Sequence, residues 1–175
     1  MALYEYCGIR PTLADGVYIA PNASVIGDVH IGEHSSLWFG VVVRGDVYPI
    51  RIGARTNIQD NSVVHVTGGK NATSLGDDVT VGHMVLLHGC VVGHRCLIGM
   101  GSVVLDGAVI GDDSIVAAGS LVVPGTKIPP RSMAMGRPAK ATRALSDDDL
   151  AWARQPGMVY VEMARIFQTE VHRID

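Results

Sequence analysis

The 175 residues carry 14 basic and 17 acidic side chains, a net charge of −3, and 47% of them are hydrophobic. Twenty-one are Gly and only 5% are aromatic, so the apolar content is mostly small aliphatic, in a chain that is neither disordered nor, lacking a three-residue Gly period, collagen-like. No Lys/Arg cluster offers a footprint for nucleic acid, no 18-residue apolar run is present to span a membrane, and the odd, unpatterned set Cys7, Cys90 and Cys96 argues against a disulfide framework. The first ten residues hold no basic segment followed by an apolar run, so no secretory leader is expected and the reducing cytoplasm is the expected compartment.

An aliphatic residue recurs every six positions. Ile19, Val25, Ile31, Leu37 and Val43 open the series; Ile52, Ile58 and Val64 follow, then Leu75, Val81 and Leu87, then Val92, Ile98, Val104, Ile110, Val116, Val122 and Ile128. The fifth position of every hexad, from Ala23 to Ser132, is small or β-branched, with Val47, Gly68 and Val91 filling it at the three interrupted steps. A period of six with a fixed small slot is neither the 3.6 of a helix nor the 2 of an ordinary strand. It predicts an all-β fold, a single-stranded parallel β-helix in which three hexapeptides make one triangular coil. Eighteen hexads give about six coils, a prism roughly 29 Å tall at about 4.8 Å per coil.

Beyond the repeats, Ser146 ahead of Asp147, Asp148 and Asp149 reads as a helix N-cap with an acidic first turn. Leu150, Ala153, Val159, Met163, Ile166 and Phe167 suit an amphipathic helix, and Pro156-Gly157 is expected to break or kink it. The expected organisation is a β-helix domain over residues 1–140 and a C-terminal helical segment over 141–175, packed along the prism or a neighbour.

Polar residues interrupt the pattern in two columns. With faces numbered from Ile19, the second position of face two reads Ile26, Arg44, His65, His88, Leu105 and Val123, which stacks Arg44, His65 and His88 on consecutive coils. The third position of face one reads Pro21, Phe39, Asp60, His83, Met100 and Ala118, which sets His83 over Asp60, beside Gln59. His83 is on the wrong face to join the other two within one chain. A threefold trimer that packs face one of one subunit on face two of the next would bring the three together, and three His with an open fourth position is the catalytic zinc pattern. Plainer readings stand beside this one: Arg44 and Asp46 as a surface ion pair, Gln59 and Asp60 as turn closure, the Gly- and Asn-rich loop 67–74 as a connector.

The segments Val43-Arg44-Gly45-Asp46, Asn57-Ile58-Gln59-Asp60, His65 and the run from Gly82 and His83 through His88 to Cys90 resemble the gamma-class carbonic anhydrases, and the resemblance covers essentially the whole chain. It implies a left-handed β-helix and a homotrimer with a metal at each subunit interface. The implied ligands are His65 and His88 of one subunit and His83 of its neighbour. Gln59 matches a residue that hydrogen-bonds the metal-bound hydroxide. Arg44, Asp46 and Asp60 match a charged cluster that ties subunits together and borders the substrate. Asn57 matches a residue near the carbon dioxide pocket, and Tyr160 a tyrosine near the site. Zinc is the implied metal, with iron and cobalt also suited to imidazole ligands, and the implied reaction is attack of metal-bound hydroxide on carbon dioxide to give bicarbonate.

Two departures bear on turnover. Val47 stands where the active pattern has an acidic residue, and loop 67–74 carries no carboxylate. Efficient proton export is therefore not provided for, and low activity is expected. Two other function classes fit the repeats: a non-catalytic metal-binding trimer or accessory protein, and a hexapeptide acyltransferase or thioester hydrolase. Acyltransferases of this architecture use one His as base, and three His with an Arg, Asp and Gln set argue against that class.

Overall fold

The structure, a computed structural model, describes residues 2–172 and 174. All eighteen aliphatic positions are buried and fill the interior of a parallel β-helix. Strands one coil apart pair in register, as Ile58 with Val81 and Val81 with Ile98 on face one, and Leu87 with Val104 on face two. Faces two and three form one sheet because the strands Ser24–Ile31 and Val42–Ile52 run across both. Face one is a separate eight-stranded sheet. The solenoid has about 7 turns rather than six. The excess lies at both ends: Ala2–Tyr4 and Thr12–Leu13 add parallel strands below Ser24–Ile31, with Leu13 keeping the six-residue step to Ile19, and Ser132–Gly136 adds a parallel rung beside Ile115–Val116, with Ala134 six residues after Ile128.

The three interrupted steps hold a correction. Val47 and Val91 are exposed and Gly68 lies on the surface, so none occupies a corner. The buried corner slots belong instead to Ile50, Thr73 and Cys90, since Val29 pairs with Ile50 and Ile50 with Thr73, while Val91 pairs with Ser74. Extra residues bulge outward after Asp46 and after Val66, and the register is recovered by counting back from the next aliphatic residue.

Glycines at the second position of face three are a steric requirement. A Cβ on Gly53 would sit 2.5 Å from the carbonyl of Gly76, and one on Gly111 2.5 Å from the nitrogen of Pro130. At the corner between faces three and one, Arg55, Asp78, Arg95, Asp113 and Arg131 stack with alternating sign, each backbone N–H bonding to the coil before it. Arg55 donates to Asp78 at 2.6 and 2.8 Å and Arg95 to Asp113 at 2.8 and 2.9 Å; Arg131 then reaches Asp147 at the start of the helix.

The last strands reverse direction. Ala139–Ala144 pairs antiparallel with Ser132–Gly136. Helix α1 (Asp147–Glu170) begins with a complete capping box, in which Ser146 Oγ accepts from the Asp149 N–H and the Asp149 carboxylate accepts from the Ser146 N–H. It packs on the face-one strands of its own chain, through Leu150, Ala153 and Ala164. Val159 and Ile166 face solvent, unlike the expectation. The expected break at Pro156-Gly157 does not occur: α1 is continuous through both residues. The aromatic side chains beyond the proline hold it down. Trp38 lies edge-on to Tyr160 and to Phe167, with ring centroids 5.1 and 4.9 Å apart, and Phe167 also meets Tyr18 and Phe39.

Candidate metal centre

His65 and His88 end the paired strands Val63–His65 and Leu86–His88 and lie side by side, ring centroids 5.0 Å apart. Nδ1 of His65 and Nε2 of His88 are 3.1 Å apart. Each ring's other nitrogen is held by a carboxylate: His65 Nε2 is 3.1 Å from Asp46 Oδ1, and His88 Nδ1 is 2.8 Å from Asp106 Oδ1.

Both carboxylates are ionised at neutral pH. Burial pushes Asp46 up, but hydrogen bonds from His65 and Arg44 outweigh it and hold the group below the ordinary range. Burial of Asp106 is likewise outweighed, by hydrogen bonds from His88 and Thr67. Carboxylates accept only, so each neutral imidazole gives its single N–H to one of them. Two lone pairs are then left facing each other 3.1 Å apart. Only a cation between them, or a proton that makes one ring cationic, satisfies that arrangement. Two imidazole ligands on a tetrahedral zinc at ~2.05 Å would lie about 3.3 Å apart. A carboxylate on the far nitrogen of each ligand is the usual outer support of such sites. The donor set therefore fits a borderline divalent cation.

His83 does not join them. It follows the face-one strand Thr80–Val81 and lies with Nδ1 2.9 Å from Asp60 Oδ2, in the register expected of their column. Among the described residues, no group of three His, Cys, Asp or Glu side chains of one chain is arranged to hold an ion.

Gln59 and Asn57 are buried on the same face and oriented as a chain: Gln59 Nε2 donates to Asn57 Oδ1 at 3.1 Å, and Asn57 Nδ2 donates to Thr80 Oγ1 at 2.9 Å. With its NH2 group engaged, the Gln59 carbonyl Oε1 is the group's acceptor. Arg44 pairs with Asp46, which also accepts from the Val47 N–H. Tyr160 is half-buried, and burial together with the nearby Asp60 charge raises its hydroxyl pKa. The structure thus brings His65, His88, Asp46 and Arg44 together, and separately His83 and Asp60, with Tyr160 within the field of Asp60.

Sequence reasoning missed Asp106 and Thr67. Asp106 occupies the third position of face two, where the preceding coils carry Gly27, Gly45, Val66 and Gly89. A single carboxylate in an otherwise small, apolar column, one coil beyond His88, was the available signal. Loop 67–74 is tied at both ends: Thr67 Oγ1 donates to Asp106 Oδ2 at 2.8 Å, and Thr73 Oγ1 to the His65 carbonyl at 2.5 Å. Gly68 lies against Val47, so an apolar contact occupies the place where an acidic group was looked for.

Residues 10–45 and 89–124 match the bacterial transferase hexapeptide family (six repeats). A carbonic anhydrase of Geobacillus kaustophilus is 47% identical over 166 residues, 95% of this chain and 91% of that protein. Mitochondrial gamma carbonic anhydrase 2 of Arabidopsis thaliana is 46% identical over 165 residues, 91% of this chain but 59% of the plant protein, so the chain spans about three fifths of that relative's length. A crystal structure of a hexapeptide transferase family protein from Anaplasma phagocytophilum superposes with a TM-score of 0.89 at 40% identity, covering 94% of this chain and 96% of the other. By the extent and identity of these matches, the chain belongs to the gamma-class carbonic anhydrase family of hexapeptide-repeat proteins.

Proposed function

We propose that the protein is a metal-dependent carbonic anhydrase that interconverts carbon dioxide and bicarbonate as a homotrimer, with zinc, or iron or cobalt, at each subunit interface. The observation that carries this reading is the facing pair of ring nitrogens of His65 and His88, 3.1 Å apart, with the other nitrogen of each ring backed by a carboxylate. Those two nitrogens would hold the ion together with His83 of an adjacent subunit, whose place on another face of the prism suits ligation across an interface. When bound, zinc supplies a water acidified to a pKa of about 7, a value established on carbonic anhydrases themselves.

The remaining chemistry falls to the chain's own side chains. Gln59 offers Oε1 as an acceptor that fixes the orientation of a hydroxyl group at the site, and Asn57 keeps that amide from rotating. Arg44 supplies a fixed positive charge beside the anionic product, held in place by Asp46. Asp60 orients His83. Proton export lacks a carboxylate in loop 67–74, so turnover is slow and rises with buffer concentration.

Stopped-flow hydration of carbon dioxide with metal analysis on the same sample tests the reading. His83→Ala is expected to lose both the metal and the activity. Full hydration by a metal-free sample overturns it. The similarity to a hexapeptide transferase favours acyl transfer as the second reading; tight coenzyme A binding by metal-free protein, with no hydration at any metal loading, would select it.

A further inference from the structure

We propose that Asp106, itself fixed by Thr67, is the positioning residue that sets the tautomer of His88 and so presents its Nε2 lone pair to the metal. The inference deepens the carbonic anhydrase reading and rests on it for the identity of the bound group, but not for the tautomer.

Asp106 belongs to the coil after His88, and its carboxylate reaches back one coil to Nδ1. The path exists because Gly89 has no side chain. Gly89 adopts φ +57°, and a Cβ there would collide with Asp106 Oδ1. The carboxylate's second oxygen accepts from Thr67 Oγ1 at 2.8 Å. Thr67 in turn begins a tight turn closed by reciprocal backbone hydrogen bonds with Asn71. One Asp106 oxygen therefore fixes the ring and the other fixes the loop, so the carboxylate cannot swing away without loosening both. Free imidazole favours the proton on Nε2. Placing it on Nδ1 exposes Nε2 as a donor atom towards His65 Nδ1.

Two measurements on the full-length protein test this. In metal-free protein at a pH where both rings are neutral, long-range 1H–15N correlation is expected to show His88 with its proton on Nδ1; Asp106→Ala moves the proton to Nε2, and Asp106→Asn, whose Oδ1 still accepts, retains the Nδ1–H form. In chelator competition with zinc, Asp106→Ala is expected to bind about 10–100-fold more weakly than wild type, Asp106→Asn to recover most of that loss, and Thr67→Val to fall between. A neutral wild-type His88 with its proton on Nε2, or a well-folded Asp106→Ala protein binding zinc within about twofold of wild type, overturns the proposal. Wild-type protein that binds none of zinc, iron and cobalt overturns the metal reading instead, and the NMR measurement still decides the role of Asp106.

Discussion

Asp113 shows how one side chain links coil and helix. It accepts hydrogen bonds from Arg95 and from Arg154 of α1, and those bonds, Arg95's foremost, hold its carboxyl down at about 2 against the effect of burial. A depressed carboxylate stabilises the fold fully above its unfolded pKa of about 4 and loses that contribution as the pH falls through about 2. Its side chain is 14% exposed, and with partial solvent screening the contribution at neutral pH is about 1–2 kcal/mol. Asp113→Asn should lose that amount in urea unfolding at pH 7, with the difference shrinking between about pH 4 and pH 2. Gly53→Ala acts by contact rather than charge: with the carbonyl of Gly76 2.5 Å from the new Cβ, two coils must separate. A loss of about 3 kcal/mol is expected, read as a fall in thermal midpoint. At this scale much of the candidate site was legible, because a His or Asp in a hexad column is an exception to a strict rule. Asp106 escaped because its role depends on how far a carboxylate leans across a coil, which spacing alone does not encode.

At the scale of elements, α1 illustrates how tertiary packing overrides a local signal. A proline inside a helix removes one hydrogen bond and costs about 3 kcal/mol, enough to make Pro156 look like an end. The ring cluster of Trp38, Tyr160 and Phe167 lies beyond it and keeps the second half of the helix docked. Phe167→Ala should therefore undock that half, costing about 3 kcal/mol in unfolding free energy and raising the exchange of amide hydrogens after Pro156 more than before it. The strands were legible throughout the regular hexads, since one aliphatic per six residues dictates both period and face. They were not legible at the three interrupted steps, where the outward bulges after Asp46 and Val66 moved the corner to Ile50, Thr73 and Cys90. The seventh turn lies beyond the eighteen-hexad series at both ends: Leu13 and Ala134 keep the six-residue step, whereas Ala2–Tyr4 joins by edge pairing outside the repeat.

At the scale of the whole molecule, the proposed site is divided between two surfaces of each chain, with His65 and His88 on one and His83 on another. That division makes complementation quantitative. In equal, random mixtures of His83→Ala and His65→Ala subunits, a site is intact only when one variant supplies the pair and the other the third ligand, so about a quarter of the wild-type metal and hydration activity should return, measured after unfolding and refolding the two together. Sites built within one chain would recover none.

The alternating corner from Arg55 to Asp147 also constrains how such a prism can change length. Removing one coil would bring Arg against Arg or Asp against Asp along that edge, whereas removing two would restore opposite signs. The edge acts as a parity check on the coil count, and a strand that slips by a single coil during folding meets repulsion at every rung.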